Sequence, residues 1–166
     1  MPTETSDVLS RVKRGLSAYV SYLAACEMNE AFSEYVLYEP ILRILTARGF
    51  TVLCEVECPG IAQPAVGDKK RLDFYAHKGN SRFALEVKWA KSSKPNVTSD
   101  IQKLRAILAA EPNTRPLLCV FGRKSHIESL KLNLGNNRER GKMMYADLRI
   151  TRYGRAHWLA VALEET

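Results

Sequence analysis

Apolar residues recur at helical spacing over residues 6–27. Leu9, Val12, Leu16, Tyr19, Val20 and Leu23 share one stripe there, and Ser6 stands at the N-cap position. A second helical stretch, residues 33–48, carries Tyr35, Tyr38, Leu42 and Leu45 on one face and ends at Gly49. Pro40 either kinks this helix or lies in the first turn of a shorter one. The period then changes. Residues 51–57 alternate as a strand does, and residues 59–69 carry the Pro and Gly of a loop. Residues 71–77 and 81–89 read as two apolar strands joined by a tight turn at Gly79-Asn80. A polar loop over residues 92–99 leads to a helix at 100–111, capped by Ser99 or Thr98. Residues 116–121 form a short apolar run suited to a buried strand, and residues 125–134 predict another helix. A basic loop at 135–142 precedes a late hairpin of residues 143–151 and 157–163 around Tyr153-Gly154. There is no internal repeat and no interdomain linker, so residues 1–166 read as a single domain. Helix, three strands, helix, strand predicts an α/β fold with a mixed sheet, preceded by an extra N-terminal helix and followed by a C-terminal hairpin.

Composition adds two constraints. A net charge of +7 suits a polyanionic partner. The four cysteines (Cys26, Cys54, Cys58 and Cys119) are scattered; Cys54-x3-Cys58 lacks a second Cys or His pair at zinc spacing, which leaves reduced thiols. The N-terminus is polar and acidic rather than leader-like, and the longest uncharged stretch, residues 15–26, is too short to span a bilayer. The expectation is a cytoplasmic protein with no membrane partner.

The predicted hairpin concentrates the chemistry. With Gly79-Asn80 in a two-residue turn, Lys78 faces Ser81 and Asp73 falls directly opposite Glu86, with Cβ atoms about 4.5–5.5 Å apart. Lys88, two residues beyond Glu86, points to the same face. Two carboxylates that close are costly unless a cation lies between them. Phosphodiester hydrolysis needs a strengthened nucleophile, charge neutralisation on the phosphate and a protonated leaving oxygen, and a hard divalent cation meets the first two needs. Asp73 and Glu86 are thus candidate ligands of Mg²⁺, with Mn²⁺ able to substitute. Lys88 could orient a bound water, help to deprotonate it, or stabilise the transition state.

Residues 32–121, with Asp73 in Arg71-Leu72-Asp73-Phe74, then Glu86-Val87-Lys88, and a helix containing Asp100-Ile101-Gln102-Lys103-Leu104, resemble the PD-(D/E)XK nuclease superfamily, in its resolvase-like branch. The resemblance implies a restriction-endonuclease-like core (α-β-β-β-α-β). It adds the Val87 carbonyl as a metal ligand and matches Glu39, about ten residues before Gly49-Phe50, to the family's helix glutamate, which would hold a second ion or a water. Glu34 competes for that role, but on a continuous helix it faces elsewhere. The Gln or Lys often seen on the following helix matches Gln102 or Lys103. One departure is Leu72, where the family commonly has proline.

The function this predicts is a metal-dependent endonuclease acting on DNA ahead of RNA. Lys69, Lys70, Arg71, Lys91, Lys94, Lys103, Arg123 and Lys124 are the candidate phosphate contacts, setting affinity rather than sequence choice. Trp89 points away from Lys88, into the core or towards a base. The apolar face of residues 6–27 is a possible homodimer interface. The competing readings are a catalytically silent nucleic-acid-binding or protein-interaction module on the same fold, and an RNA-cleaving toxin.

Overall fold

The structure is a computed structural model describing residues 4–26, 33–92, 96–123, 126, 141–142, 148–150 and 154–162. Helix α1 (Glu4–Ala25) is followed by a 3-10 turn (Tyr35–Leu37) that runs into α2 (Tyr38–Ala47). Then come β1 (Thr51–Glu57), β2 (Arg71–Lys78), β3 (Ser81–Ala90), α3 (Thr98–Ala110) and β4 (Thr114–Arg123). Short strands β5 (Gly141–Lys142) and β6 (Leu148–Ile150) precede β7 (Gly154–Ala162). The chain is therefore α/β.

Its sheet is mixed. β1, β2 and β3 form an antiparallel meander, β3 and β4 pair in parallel across the α3 connection, and β7 extends the sheet antiparallel beyond β4. The predicted C-terminal hairpin is present, with Ile150 facing Gly154, and β5 also pairs with β7. The end of the expected basic loop is thus strand. Of the expected helix at residues 125–134, only residue 126 lies within the described residues.

Each face of the sheet carries its own apolar layer. Val8, Val12, Leu16 and Val20 of α1, with Ile41 and Leu45 of α2, cover Phe74, Phe83, Leu85 and Val87. Ile101, Leu104 and Ile107 of α3 cover Leu72, Ala84, Leu118 and Val120 on the other side. Residues 83–87 of β3 are buried on both faces, as a central strand with a parallel neighbour requires.

Several local expectations change. The α1 stripe is intramolecular core, so the apolar face proposed for a homodimer is already covered by this chain. α1 begins at Glu4 rather than at a Ser6 cap. In α2 the buried ridge is Leu37, Ile41 and Leu45 at i, i+4 spacing, while Tyr35 and Leu42 are exposed. Pro40 lies in the first turn of α2, where the missing N–H costs no helix bond, so the helix is short rather than kinked. α3 is capped by Val97, not by Ser99 or Thr98; instead the Asn96 side chain accepts the Thr98 N–H at 3.2 Å. Gly49 does end α2, at φ +82, where a glycine meets no Cβ penalty.

Candidate active site

The β2–β3 ladder runs in the register that a two-residue turn demands, from Lys78↔Ser81 to Phe74↔Leu85. It stops one position short of Asp73. The β1–β2 ladder also skips this point, passing from Cys54↔Phe74 to Val56↔Leu72. Alternation slips here as well: Phe74 belongs to the layer under α1 and α2, yet Leu72, two residues away, belongs to the layer under α3. Across the gap, Glu55 adopts φ +51, a left-handed conformation that non-glycine residues rarely hold. Asp73 is thus not a ladder partner of Glu86, as strict pleating would make it. Its side chain replaces the missing ladder bond, with Oδ2 accepting the Val87 N–H at 2.7 Å.

Asp73 is fixed from its other side too. The Tyr38 hydroxyl, at the start of α2, donates to Asp73 Oδ1 at 2.6 Å and is shared with Glu55 Oε1 at 2.9 Å. The Tyr38 ring is held against Phe74 with centroids 4.8 Å apart. Burial, then the Asp73 carboxylate, raise the Tyr38 hydroxyl above its ordinary value, so it stays a donor. Burial likewise raises Asp73, against the Tyr38 hydroxyl, the Val87 N–H and the Lys103 ammonium.

Glu86 is 4% exposed, a carboxylate in the middle of a central strand. Alternation turns it and Lys88 towards α3, beside Ala84 and Ala90. Two charged residues of α3 meet them there. Lys103 Nζ lies 2.7 Å from Glu86 Oε1 and also donates to the Arg71 carbonyl at 2.7 Å. Lys88 Nζ lies 3.2 Å from Asp100 Oδ2 and 3.8 Å from Glu34 Oε1. Burial, then the charge of Asp73, push the Glu86 carboxyl up to about 8 against the pull of Lys103. Partial burial lowers Lys88, but Asp100 and Glu34 outweigh it and hold its ammonium above the ordinary value.

The site therefore includes residues that spacing alone did not select. Asp100 is 7% exposed and lies in the first turn of α3, where the helix dipole favours a negative charge. Its legible signal was periodicity: Asp100, Lys103 and Ile107 occupy inward-facing positions of the same helix. Glu34, set aside on the assumption of a continuous helix, precedes a 3-10 turn and reaches the end of β3, accepting the Trp89 N–H at 3.2 Å. Glu39 is outside the cluster; it is exposed and pairs with Arg43 one helical turn on. Trp89 is half-buried against the layer under α1 and α2.

The predicted phosphate contacts divide. Lys70 and Arg71 are exposed and, with Lys69, Gln102 and Lys103, line a groove of about 390 Å³ between the 61–71 segment and α3. Lys69 is paired with Glu57. Lys103 points inward to Glu86 rather than outward as a free surface charge. Lys91 is exposed beyond β3. Lys94 and Lys124 lie outside the described residues, and Arg123 is described only as backbone of β4.

Among the described residues no group of three or more His, Cys, Asp or Glu side chains is arranged to hold a metal. The smaller set here has only the donor chemistry that a hard cation takes. Its donors are oxygens, and buried Glu86 Oε1 and Asp100 Oδ2 face ammonium groups without an aligned hydrogen bond. In an extended strand the C=O of Val87 points to the same side as its N–H, towards the gap that Asp73 fills. Mg²⁺ keeps several waters, so two carboxylates and one carbonyl suffice. A zinc site has no such support: Cys54 is exposed, Cys58 is buried, and burial raises both thiols away from the thiolate. Among the described residues no helix is long and apolar enough to cross a membrane. Comparison with protein-family models, with curated proteins and with solved structures yields no match for this chain.

Proposed function

We propose that the chain is a metal-dependent nuclease of PD-(D/E)XK type, with a restriction-endonuclease-like core, that hydrolyses phosphodiester bonds in DNA ahead of RNA. The observation that carries this reading is the break in the sheet at Asp73. It ties Asp73 to the amide of Val87, next to a buried Glu86 and one residue before Lys88. Asp73, Glu86 and the Val87 carbonyl would hold the cation. A dication bound there supplies charge neutralisation on the phosphate and a water of lowered pKa. Lys88, kept cationic by Asp100 and Glu34, is suited to stabilising negative charge on the phosphate rather than to accepting a proton. Lys70 and Arg71 offer sequence-independent contacts along the groove.

Tyr38, Asp100 and Glu34 act through their neighbours, as positioning residues for Asp73 and Lys88. Glu39 has no part in this reading, and Gln102 keeps only a place on the groove wall. The inward closure of both charges, Glu86 on Lys103 and Lys88 on Asp100, also favours a second reading: a nucleic-acid-binding module without catalysis. Supercoiled plasmid separates the two. The nuclease reading expects Mg²⁺- or Mn²⁺-dependent nicking that Lys88→Ala abolishes while DNA retention persists. Retention without nicking by the unaltered protein selects the silent module.

A further inference from the structure

Glu86 and Lys88, which β3 presents to α3, each have a partner on that helix, and the two partners differ in freedom. Asp100 is short and buried in the first turn of α3. Lys103 has a flexible stem of four carbons and forms part of the groove wall with Lys70, Arg71 and Gln102. Its ammonium lies 2.7 Å from Glu86 Oε1, an oxygen that the nuclease reading assigns to a cation. The same ammonium also donates to the Arg71 carbonyl at 2.7 Å, so it keeps a partner at the groove when the contact with Glu86 is given up. A carboxylate this deeply buried needs a counter-charge. An ammonium and a dication on one oxygen repel each other strongly in so dry a place.

We propose that Lys103 is the resident counter-ion of Glu86 in the metal-free protein. It yields that contact when a divalent cation binds, and its ammonium swings along the groove to meet a phosphate. The inference rests on the nuclease reading above. It makes cation and polyanion affinity reciprocal, because each ligand favours the outward position of the same side chain. Lys88 and Asp100 stay paired throughout.

The test is calorimetric titration with MnCl₂ alone, all three proteins at one pH and in two buffers of different ionisation enthalpy, which separates any proton released from metal binding itself. Lys103→Gln should bind Mn²⁺ roughly tenfold more tightly than the unaltered protein, within the usual 5- to 150-fold range of coupling between sites. Lys103→Arg, which keeps the charge, should bind as the unaltered protein does. Equal or weaker binding by Lys103→Gln overturns the proposal and leaves the nuclease reading standing. No Mn²⁺ binding by any of the three proteins overturns both. If Lys103→Gln does not fold, limited acetylation of the unaltered protein decides: Mn²⁺ should speed labelling of Lys103 relative to Lys70, and an unchanged ratio rejects the idea.

Discussion

Towards α1 and α2, the central strand presents Phe83, Leu85 and Val87 to an apolar cluster that carries the Tyr38 hydroxyl at its edge. Towards α3 the same strand presents Ala84, Glu86, Lys88 and Ala90, and the helix answers with Asp100 and Lys103 among its leucine and isoleucines. Among the described residues, only the layer under α3 keeps four charges in or beside its core. Well-packed apolar residues in place of a buried ion pair are often neutral or stabilising. The charged layer is therefore the costlier way to build this half of the molecule, a cost that the proposed chemistry would explain.

Substitutions on the two sides should separate activity from stability. The largest effect expected is on cleavage: Asp73→Ala or Lys88→Ala should reduce divalent-ion-dependent nicking by about 10²-fold or more, the scale of losing one transition-state-stabilising group. Leu16→Ala, on the apolar side, should leave nicking per folded molecule unchanged while costing about 2–5 kcal/mol in denaturant melts. If Leu16→Ala abolishes nicking in folded protein, the division between the layers fails.

Next in size is the ion pair itself. Lys103→Met alone should destabilise by about 1–3 kcal/mol, because it leaves the buried Glu86 carboxyl, then protonated, without its partner. Adding Glu86→Leu should recover that loss and could exceed the starting stability by about 1–4 kcal/mol, with cleavage gone. A double variant no more stable than Lys103→Met would show that the pair, not its burial cost, holds this layer together.

A smaller effect follows from pH. The Glu86 carboxyl is raised from 4.5 to about 8, so the fold prefers its protonated form. The associated stability is full below about pH 4.5 and is lost as pH rises through about 8. The melting temperature of metal-free protein should fall across that window, and Glu86→Gln should flatten the slope. A rising melting temperature over the same window in the unaltered protein would contradict the assignment. The smallest effect is at Tyr38, which reaches from the apolar side to Asp73: Tyr38→Phe should cost about 1 kcal/mol by thermal melting.

Much of the fold was legible because its signals are local. The turn at Gly79-Asn80, the alternation of the hairpin strands and Gly49 after α2 each follow from backbone preference, and the register from Lys78 to Phe74 came with them. Asp73, Glu86 and Lys88 were legible as charged positions on those strands. What escaped was the departure from ideal geometry. Strict pleating put Asp73 opposite Glu86, whereas the broken ladder turns it into a bridge to Val87. The partners Tyr38, Glu34 and Asp100 come from segments far apart in sequence, and no local pattern pairs them. Glu39 fits a motif but faces solvent, because the short α2 turns Leu37, Ile41 and Leu45 inward instead.

The most direct measurement is an anomalous difference map from crystals soaked in MnCl₂. The account predicts a peak about 2.1 Å from carboxylate oxygens of both Asp73 and Glu86, with Lys103 drawn away from Glu86. A map with no peak between those two side chains, in a lattice that leaves the groove open, would contradict it.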